Sequence, residues 1–208
     1  MLKSIRAAEE ERAGGRQTMF LRSAARRTGV LPPVLRNLGL GSLLFVAACD
    51  EGPSTITHYM HPTGSFDFLI AATKNEGPLY LEIDGMPFAE ETDLEGRVAA
   101  VMEKAVQTRV LQLTTDQAEA EDPRFRLVLV FNPANSGEVF AFCQDQPQGG
   151  PARDDQRIEL RAGFCRGDDL LAAVDGWAEE VERPGDEKFE QLMRQVARDL
   201  LSRNRNDN

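Results

Sequence analysis

Phe125–Phe131, with the sequence F-R-L-V-L-V-F, is the stretch that decides the fold. Every residue in it except Arg126 is apolar, and its aromatic and β-branched side chains are of the types enriched in strands. A short apolar run without alternation is typical of a central strand that is covered on both faces. The run therefore predicts a sheet with this segment near its middle.

Further strands are predicted on both sides of this run. Upstream, Phe66–Ala72 is an apolar segment between turn formers, and Leu79–Asp84 alternates between apolar and polar residues. Downstream, Glu138–Cys143 and Arg157–Cys165 are also predicted as strands. The predicted loops at residues 132–137 and 144–155 have 6 and 12 residues, and loops this short favour antiparallel neighbours.

Three helices are predicted from capping residues and apolar spacing. Thr92 and Glu95 have the spacing of a capping box and open an amphipathic helix that runs to about Arg109. Asp168 can cap a short helix over residues 170–174, and Asp186 opens the last helix. The last helix carries its apolar residues on one stripe: Phe189, Leu192, Met193, Val196 and Leu200.

The order of these elements predicts one α+β domain over residues 66–203. We expect two layers, with a mostly antiparallel sheet of four or five strands and helices packed on one face. The polar end, residues 204–208, is expected to be frayed.

The first forty-eight residues differ from the rest in composition. They hold eight basic and three acidic residues, followed by an uncharged apolar stretch from Asn37 to Ala48 that is too short to span a bilayer. A basic region, a short apolar region and small residues in this order are typical of a secretory signal peptide. Residues 1–48 are therefore predicted to be a signal peptide, and Met19 opens a complete leader of its own as an alternative start.

The end of this leader resembles the bacterial lipobox. The small residues run into a cysteine, Val46-Ala47-Ala48-Cys49. The resemblance implies that the Cys49 sulfur receives a lipid, that cleavage occurs before it, and that the chain is anchored to a membrane facing the periplasm. Asp50 resembles the inner-membrane retention signal of enterobacterial lipoproteins and favours the inner membrane over the outer membrane.

The body of the chain resembles an uncharacterised proteobacterial family of envelope lipoproteins. The resemblance lies in three segments: Gly85-Met86-Pro87-Phe88, Phe131-Asn132-Pro133 and Ala162-Gly163-Phe164-Cys165. It implies no activity.

The chain after the leader is strongly acidic. Residues 49–208 carry 31 acidic and 16 basic side chains, a net charge of −15. The negative electrostatic potential of so acidic a chain repels nucleic acid, so no nucleic-acid partner is expected.

Residues 49–65 are predicted to be a flexible tether, because Gly, Pro, Ser and Thr are frequent there. The only two histidines, His58 and His61, lie in this segment. No third ligand stands at a recognisable spacing, so no metal site is expected and no cofactor is predicted.

No catalytic constellation is evident in the body. No serine stands in a nucleophile-elbow pattern. A Ser-His-Asp triad would need the predicted tether to fold back and bring one of its histidines onto the body. Arg157 and Arg161 could clamp an anion, but cross-strand ion pairs are the favoured interpretation. Five aromatic residues of the body are expected in the core rather than in a ligand cage: Phe125, Phe131, Phe140, Phe142 and Trp177.

A disulfide between Cys143 and Cys165 is predicted, because acylation of Cys49 leaves two cysteines in an oxidising compartment. The predicted strands raise an objection. In a simple hairpin, Cys165 would lie about 8 residues along its strand from the position opposite Cys143, far beyond the ~7 Å limit between Cα atoms. The bridge and the hairpin therefore exclude each other. Two buried free thiols are the alternative.

Three functions are compatible with these features. The leading hypothesis is a non-enzymatic envelope lipoprotein, an accessory or scaffold that binds another protein or an envelope component. The second is a module that binds a small ligand or lipid in the apolar space between sheet and helices, and the third is a hydrolase.

Overall fold

A computed structural model describes residues 52–89, 93–107, 110–134, 137–144 and 148–201. The predicted signal peptide, Cys49 and the tail at residues 204–208 lie outside these ranges.

The described residues form an α+β fold around a mixed sheet of six strands in the order β1-β6-β5-β4-β2-β3. The antiparallel pairs are β1 with β6, β6 with β5 and β5 with β4, whereas β2 runs parallel to both β4 and β3. The strands are β1 (Ser54–Met60), β2 (Leu79–Asp84), β3 (Leu113–Thr114), β4 (Phe125–Phe131), β5 (Ile158–Arg166) and β6 (Asp169–Ala178). The expected α+β class is confirmed, but the sheet has more strands than expected and two of its pairs are parallel.

Three helices contribute to the main core: α1 (Ser65–Ala72), α2 (Leu94–Ala105) and α3 (Glu187–Leu200). Alternate side chains of β4, namely Leu127, Leu129 and Phe131, are fully buried in this core. From the helices, Val98, Met102 and Leu192 are equally buried against them. These side chains form the core between the sheet and the helices.

The predicted strand β2, the central strand β4 and the last helix are confirmed. Both strands have the predicted bounds, and α3 begins directly after its N-cap residue Asp186. The carboxylate of Asp186 accepts hydrogen bonds from the backbone N–H groups of Glu182 and Arg183, at 2.8 and 3.1 Å, so it fixes the turn that leads into the helix. The predicted helix from Thr92 is present as α2, with Asp93 as its N-cap residue, and Thr92 and Arg109 lie outside the described ranges.

The predicted tether is wrong for Ser54–Met60, which form β1 along β6. Thr55, Ile56 and Thr57 are β-branched and favour the extended conformation. Pairing with β6, from Ser54 opposite Trp177 to Met60 opposite Ala172, supplies the hydrogen bonds that keep this segment in the sheet.

The strand predicted at Phe66–Ala72 is wrong, because this segment is helix α1. Its buried positions Phe66, Leu69 and Ala72 recur at the spacing of a helix, and Phe66 and Leu69 are 6% and 0% exposed. A short apolar run does not distinguish a strand from a buried helix by periodicity alone.

The short helix predicted after Asp168 is also wrong, because Asp169–Ala178 form β6. Gly167 and Asp168 are a two-residue link between β5 and β6, and Gly167 has a φ of 58°. A link of this type favours a tight hairpin. β6 is therefore the antiparallel neighbour of β5 rather than a helix above it.

Candidate binding surface on the loop face

The face of the sheet opposite the helices is covered by the loop between β4 and β5, of which the structure describes residues 132–134, 137–144 and 148–150. This face is called the loop face below. The two ends of the loop lie side by side. The N–H of Gly150 donates to the carbonyl of Phe131 at 3.0 Å, and that of Ala134 donates to the carbonyl of Gln148 at 3.1 Å. The N–H of Gly149 donates to the Asp84 carboxylate at 2.9 Å. The neck of the loop is thus tied to the ends of β2 and β4.

Glycine is required at this neck because backbone segments meet there. A Cβ on Gly149 would overlap the backbone of Gly85, and a Cβ on Gly150 would overlap the carbonyl oxygen of Asn132. Gly85 itself has a φ of 84°, which L side chains rarely adopt. The pair Gly149-Gly150 therefore allows close approach of two turns.

The far part of the loop is fixed by a disulfide between Cys143 and Cys165 of β5, with Cα atoms 5.8 Å apart. The predicted bridge is confirmed, but the predicted strand Glu138–Cys143 is wrong. Val139–Ala141 form a turn of 3-10 helix, and the described residues 137–144 contain no strand. This geometry removes the objection to the bridge, since Cys143 is not part of a hairpin with β5.

A small second core holds this segment on the sheet. Phe142 and Cys143 are 2% and 3% exposed, and they pack against Val128, Val130 and Cys165. The ring of Phe142 lies where a side chain at position 163 would stand, and Gly163 provides that space. The Arg126 guanidinium donates to the carbonyl of Cys143 at 2.9 Å, which adds a charged hydrogen bond to the same anchor.

Phe140 projects from the fixed segment into solvent and is 68% exposed. Its ring meets that of Tyr59 on β1 edge to face, with centroids 5.1 Å apart. The prediction that Phe140 lies in the core is therefore wrong, although it holds for Phe142. In a strand these two residues would share a face, but in a turn with 3 residues per revolution they point in different directions.

Beside the loop neck lies an open depression of about 350 Å³. It is bounded by β1, β6, β5 and the start of the loop. Its apolar lining residues are Ile56, Pro133, Ala134, Leu160 and Trp177. Its polar lining residues are His58, Arg157, Glu159, Arg161 and Asp175, and Gly176 completes the wall. Trp177, which was expected in the core, is only partly buried here.

Arg161 and Asp175 form the polar centre of the depression. The guanidinium donates two hydrogen bonds to the carboxylate, at 2.8 and 2.7 Å. Burial raises the pKa of Asp175, but the hydrogen bonds and charge of Arg161 outweigh it, so the pKa lies below its usual value. The hydrogen bond to Asp175 likewise raises the pKa of Arg161. Both groups are therefore charged at neutral pH.

Arg157 forms a second set of ion pairs at the rim of the depression. It lies 3.0 Å from Glu159 and 2.9 Å from Glu179, and Arg153 lies 3.7 Å from Glu159 and 3.0 Å from Asp155. Together with the pair of Arg161 and Asp175, these contacts confirm that the arginines form ion pairs with neighbouring carboxylates rather than an open anion clamp.

The two histidines have different surroundings. His58 lies on β1 and its Nε2 is 3.0 Å from the Asp175 carboxylate, whereas His61 contacts Thr63 and packs edge-on against Phe68. The sequence placed both histidines in a tether and so missed the contact of His58 with Asp175. The signal that could have found it is the β-branched segment Thr55-Ile56-Thr57.

The described lining of the depression offers no nucleophile to His58. It contains no Ser, Thr, Cys or Tyr side chain, and Asp175 is held as a carboxylate by Arg161. Among the described ranges, no group of three His, Cys, Asp or Glu side chains is placed to hold a metal ion. The charged side chains that line the depression are instead held in ion pairs with one another.

No protein-family profile matches the chain, and no curated protein matches it in sequence. Two structures of a PelC dodecamer from Paraburkholderia phytofirmans are similar in fold, with TM-scores of 0.40 and identities of 10% and 8%, covering 73% of this chain and 99% of PelC. A DUF4136 family protein from Bacteroides thetaiotaomicron has a TM-score of 0.32 and 11% identity, covering 71% of this chain and 93% of that protein. These likenesses are too distant to assign a family, an activity or a partner to this chain.

Within the described ranges, none of the helices has both the length and the apolar character needed to cross a bilayer.

Proposed function

We propose that the chain is a non-enzymatic lipoprotein of the cell envelope, anchored through Cys49, whose loop face binds another protein. The lipobox-like segment Val46–Cys49 supports the anchor. The acidity of the body makes nucleic acid an unsuitable partner.

The observation that carries the binding role is Phe140, an exposed aromatic ring on a rigidly braced segment. Aromatic side chains are enriched at protein interfaces, and a ring on a fixed scaffold loses little conformational entropy when a partner buries it. The disulfide, Phe142 and the hydrogen bond from Arg126 brace the segment from below. Ile56, which is 49% exposed on the same face, extends the apolar surface toward the depression.

Site-specific photo-crosslinking in cells tests this function. A photoreactive phenylalanine analogue at position 140 should give a discrete adduct with a partner protein. The same analogue at position 104, an exposed position on α2, is the matched control and should give none. Adducts from position 104 but not from position 140 would place the binding surface on the helices and refute the proposal.

A further inference from the structure

The edge of the sheet beside the depression has an unusual composition for an exposed edge. β1 is the outermost strand, and no described strand pairs with its outer side. Its sequence, S-T-I-T-H-Y-M, contains no Lys, Arg, Asp, Glu or Pro. Natural sheets normally protect such edges with charges, proline or bulges, because the free N–H and C=O groups recruit other strands. Of these protective features, β1 has only an irregularity of the bulge type, a shift in its pairing register with β6 between Thr57 and Tyr59.

We propose that this edge binds an extended, positively charged peptide segment of the partner protein as an additional strand. The inference rests on the proposed binding function and specifies its mode. Hydrogen bonds along Ser54–Thr57 would provide affinity, and alternate side chains of the peptide would fall on the loop face beside Ile56.

The depression suits one of those side chains. Ile56 and His58 contribute to its wall from β1, so a residue added beside them reaches over its mouth. The apolar surfaces of Ile56 and Trp177 match the aliphatic stem of a lysine or arginine, and the ring of Trp177 can receive the cation.

Charge favours a cationic segment. Three arginines around the depression, Arg153, Arg157 and Arg161, face four carboxylates, Asp155, Glu159, Asp175 and Glu179. The side chains that line the depression are balanced, Arg157 and Arg161 against Glu159 and Asp175, and the surrounding rim adds one net negative charge. The whole of residues 49–208 is far more acidic, with a net charge of −15. Two copies of so acidic a chain repel each other, which argues against β1 pairing with a second copy.

The test uses the full-length protein in nonionic detergent and three labelled heptapeptides. The first alternates Lys and Val, the second alternates Glu and Val, and the third is the Lys-Val peptide N-methylated at its three central residues. The N-methyl groups remove backbone donors from both edges of the peptide but keep its charge. Binding is measured by fluorescence anisotropy, with protein-free micelles as the blank, and amide hydrogen exchange is followed over residues 54–60.

The cationic peptide should bind about tenfold more tightly than the other two and should slow exchange in β1. Ile56→Lys should weaken binding by about tenfold, because it places a like charge at the edge, whereas the control Ile56→Val should retain binding. Since Ile56 is half exposed, neither change disturbs the core.

Three results would overturn the inference: no binding of the cationic peptide, equal binding of the N-methylated peptide, or unchanged exchange over residues 54–60. Exchange that slows with protein concentration in the absence of peptide would assign the edge to a second copy and overturn it as well. If one of these results is found and position 140 still crosslinks to a partner protein, only the binding of a peptide at the β1 edge is refuted. If position 140 gives no crosslink to a partner protein, the proposed function itself is refuted.

Discussion

Cys143 and Cys165 join the 3-10 segment of the loop to strand β5, with Cα atoms 5.8 Å apart and 22 residues apart in sequence. The bridge closes the chain around the second core, in which Phe142 covers Val128 and Val130. The position of Phe140 above the sheet therefore depends on a covalent bond as well as on packing.

Removal of this bridge should destabilise the protein. The double variant Cys143→Ser, Cys165→Ser should lose about 3 kcal/mol of unfolding free energy, because a loop of this length no longer restricts the unfolded chain. Denaturant unfolding with and without reductant measures the loss. Reductant should lower the midpoint of the native protein and leave that of the double variant unchanged. An equal response of both proteins would contradict the structure.

The ion pair between Asp175 and Arg161 predicts a loss of stability in acid. The pKa of Asp175 is lowered in the folded state, so the pair stabilises the protein above the unfolded pKa of about 4 and ceases to do so as the pH falls through the folded value. Asp175→Asn should cost about 2 kcal/mol at pH 7, because Arg161, with only 12% of its side chain exposed, loses its carboxylate. The difference in unfolding free energy between the native protein and Asp175→Asn, measured by urea unfolding, should shrink below pH 4.

Asp122→Asn is the matched control for this variant. The pKa of Asp122 is also lowered, by its hydrogen bond to Arg124, but the Arg124 side chain is 74% exposed. Water screens the pair of Asp122 and Arg124, so Asp122→Asn should lower the free energy of unfolding by less than Asp175→Asn does. An Asp175 variant as stable as the Asp122 variant at pH 7 would show that the pair in the depression contributes little.

The glycine neck predicts a steric effect. Gly149→Ala should destabilise the protein by about 1–3 kcal/mol, since a methyl group at this position overlaps the backbone of Gly85 and forces the two turns apart. Gly185→Ala is the control, because nothing lies within 4 Å of a Cβ at that position. Thermal unfolding of the two variants compares them directly, and equal midpoints would mean that the neck is not closely packed.

The lipid anchor makes a separate prediction. Cys49→Ser should release the protein from the membrane fraction and block cleavage of the leader. Mass spectrometry of the native protein should find a lipid on Cys49 as the first residue. An unmodified Cys49 inside an intact leader would disprove the anchor. Density-gradient fractionation then tests the preference for the inner membrane, which recovery with outer-membrane markers would contradict.

The elements that could be predicted from the sequence are those whose side-chain pattern fits one structure only. Leu79–Asp84 alternates strictly, and the stripe from Phe189 to Leu200 fits only a helix. In contrast, Ala172 and Ala173 in β6 fit a helix or a strand, and only the turn at Gly167 distinguishes the two. Propensity decides little where both faces of an element are buried.

The candidate surface could be predicted only in part. The bridge followed from the number of cysteines and the expected compartment, and the ion pairs of Arg157 and Arg161 followed from the charge pattern. The depression depends on β1 lying next to β6, a contact between residues more than a hundred positions apart. The β-branched run Thr55-Ile56-Thr57 favours a strand, but nothing in residues 54–60 identifies β6 as the strand it pairs with.

The position of β1 also limits how far the protein can extend from its anchor. Five peptide units separate Cys49 from Ser54, where the sheet begins, and a fully extended chain of that length spans at most about 17 Å. A free tether through residue 65 would have spanned more than three times that distance. Under the proposed lipidation of Cys49, a linker of this length would hold the body close to the bilayer. The start of β1 and Trp177 opposite it would then be the part of the body nearest the membrane, and a partner that binds there would itself have to come within a few nanometres of the lipid surface.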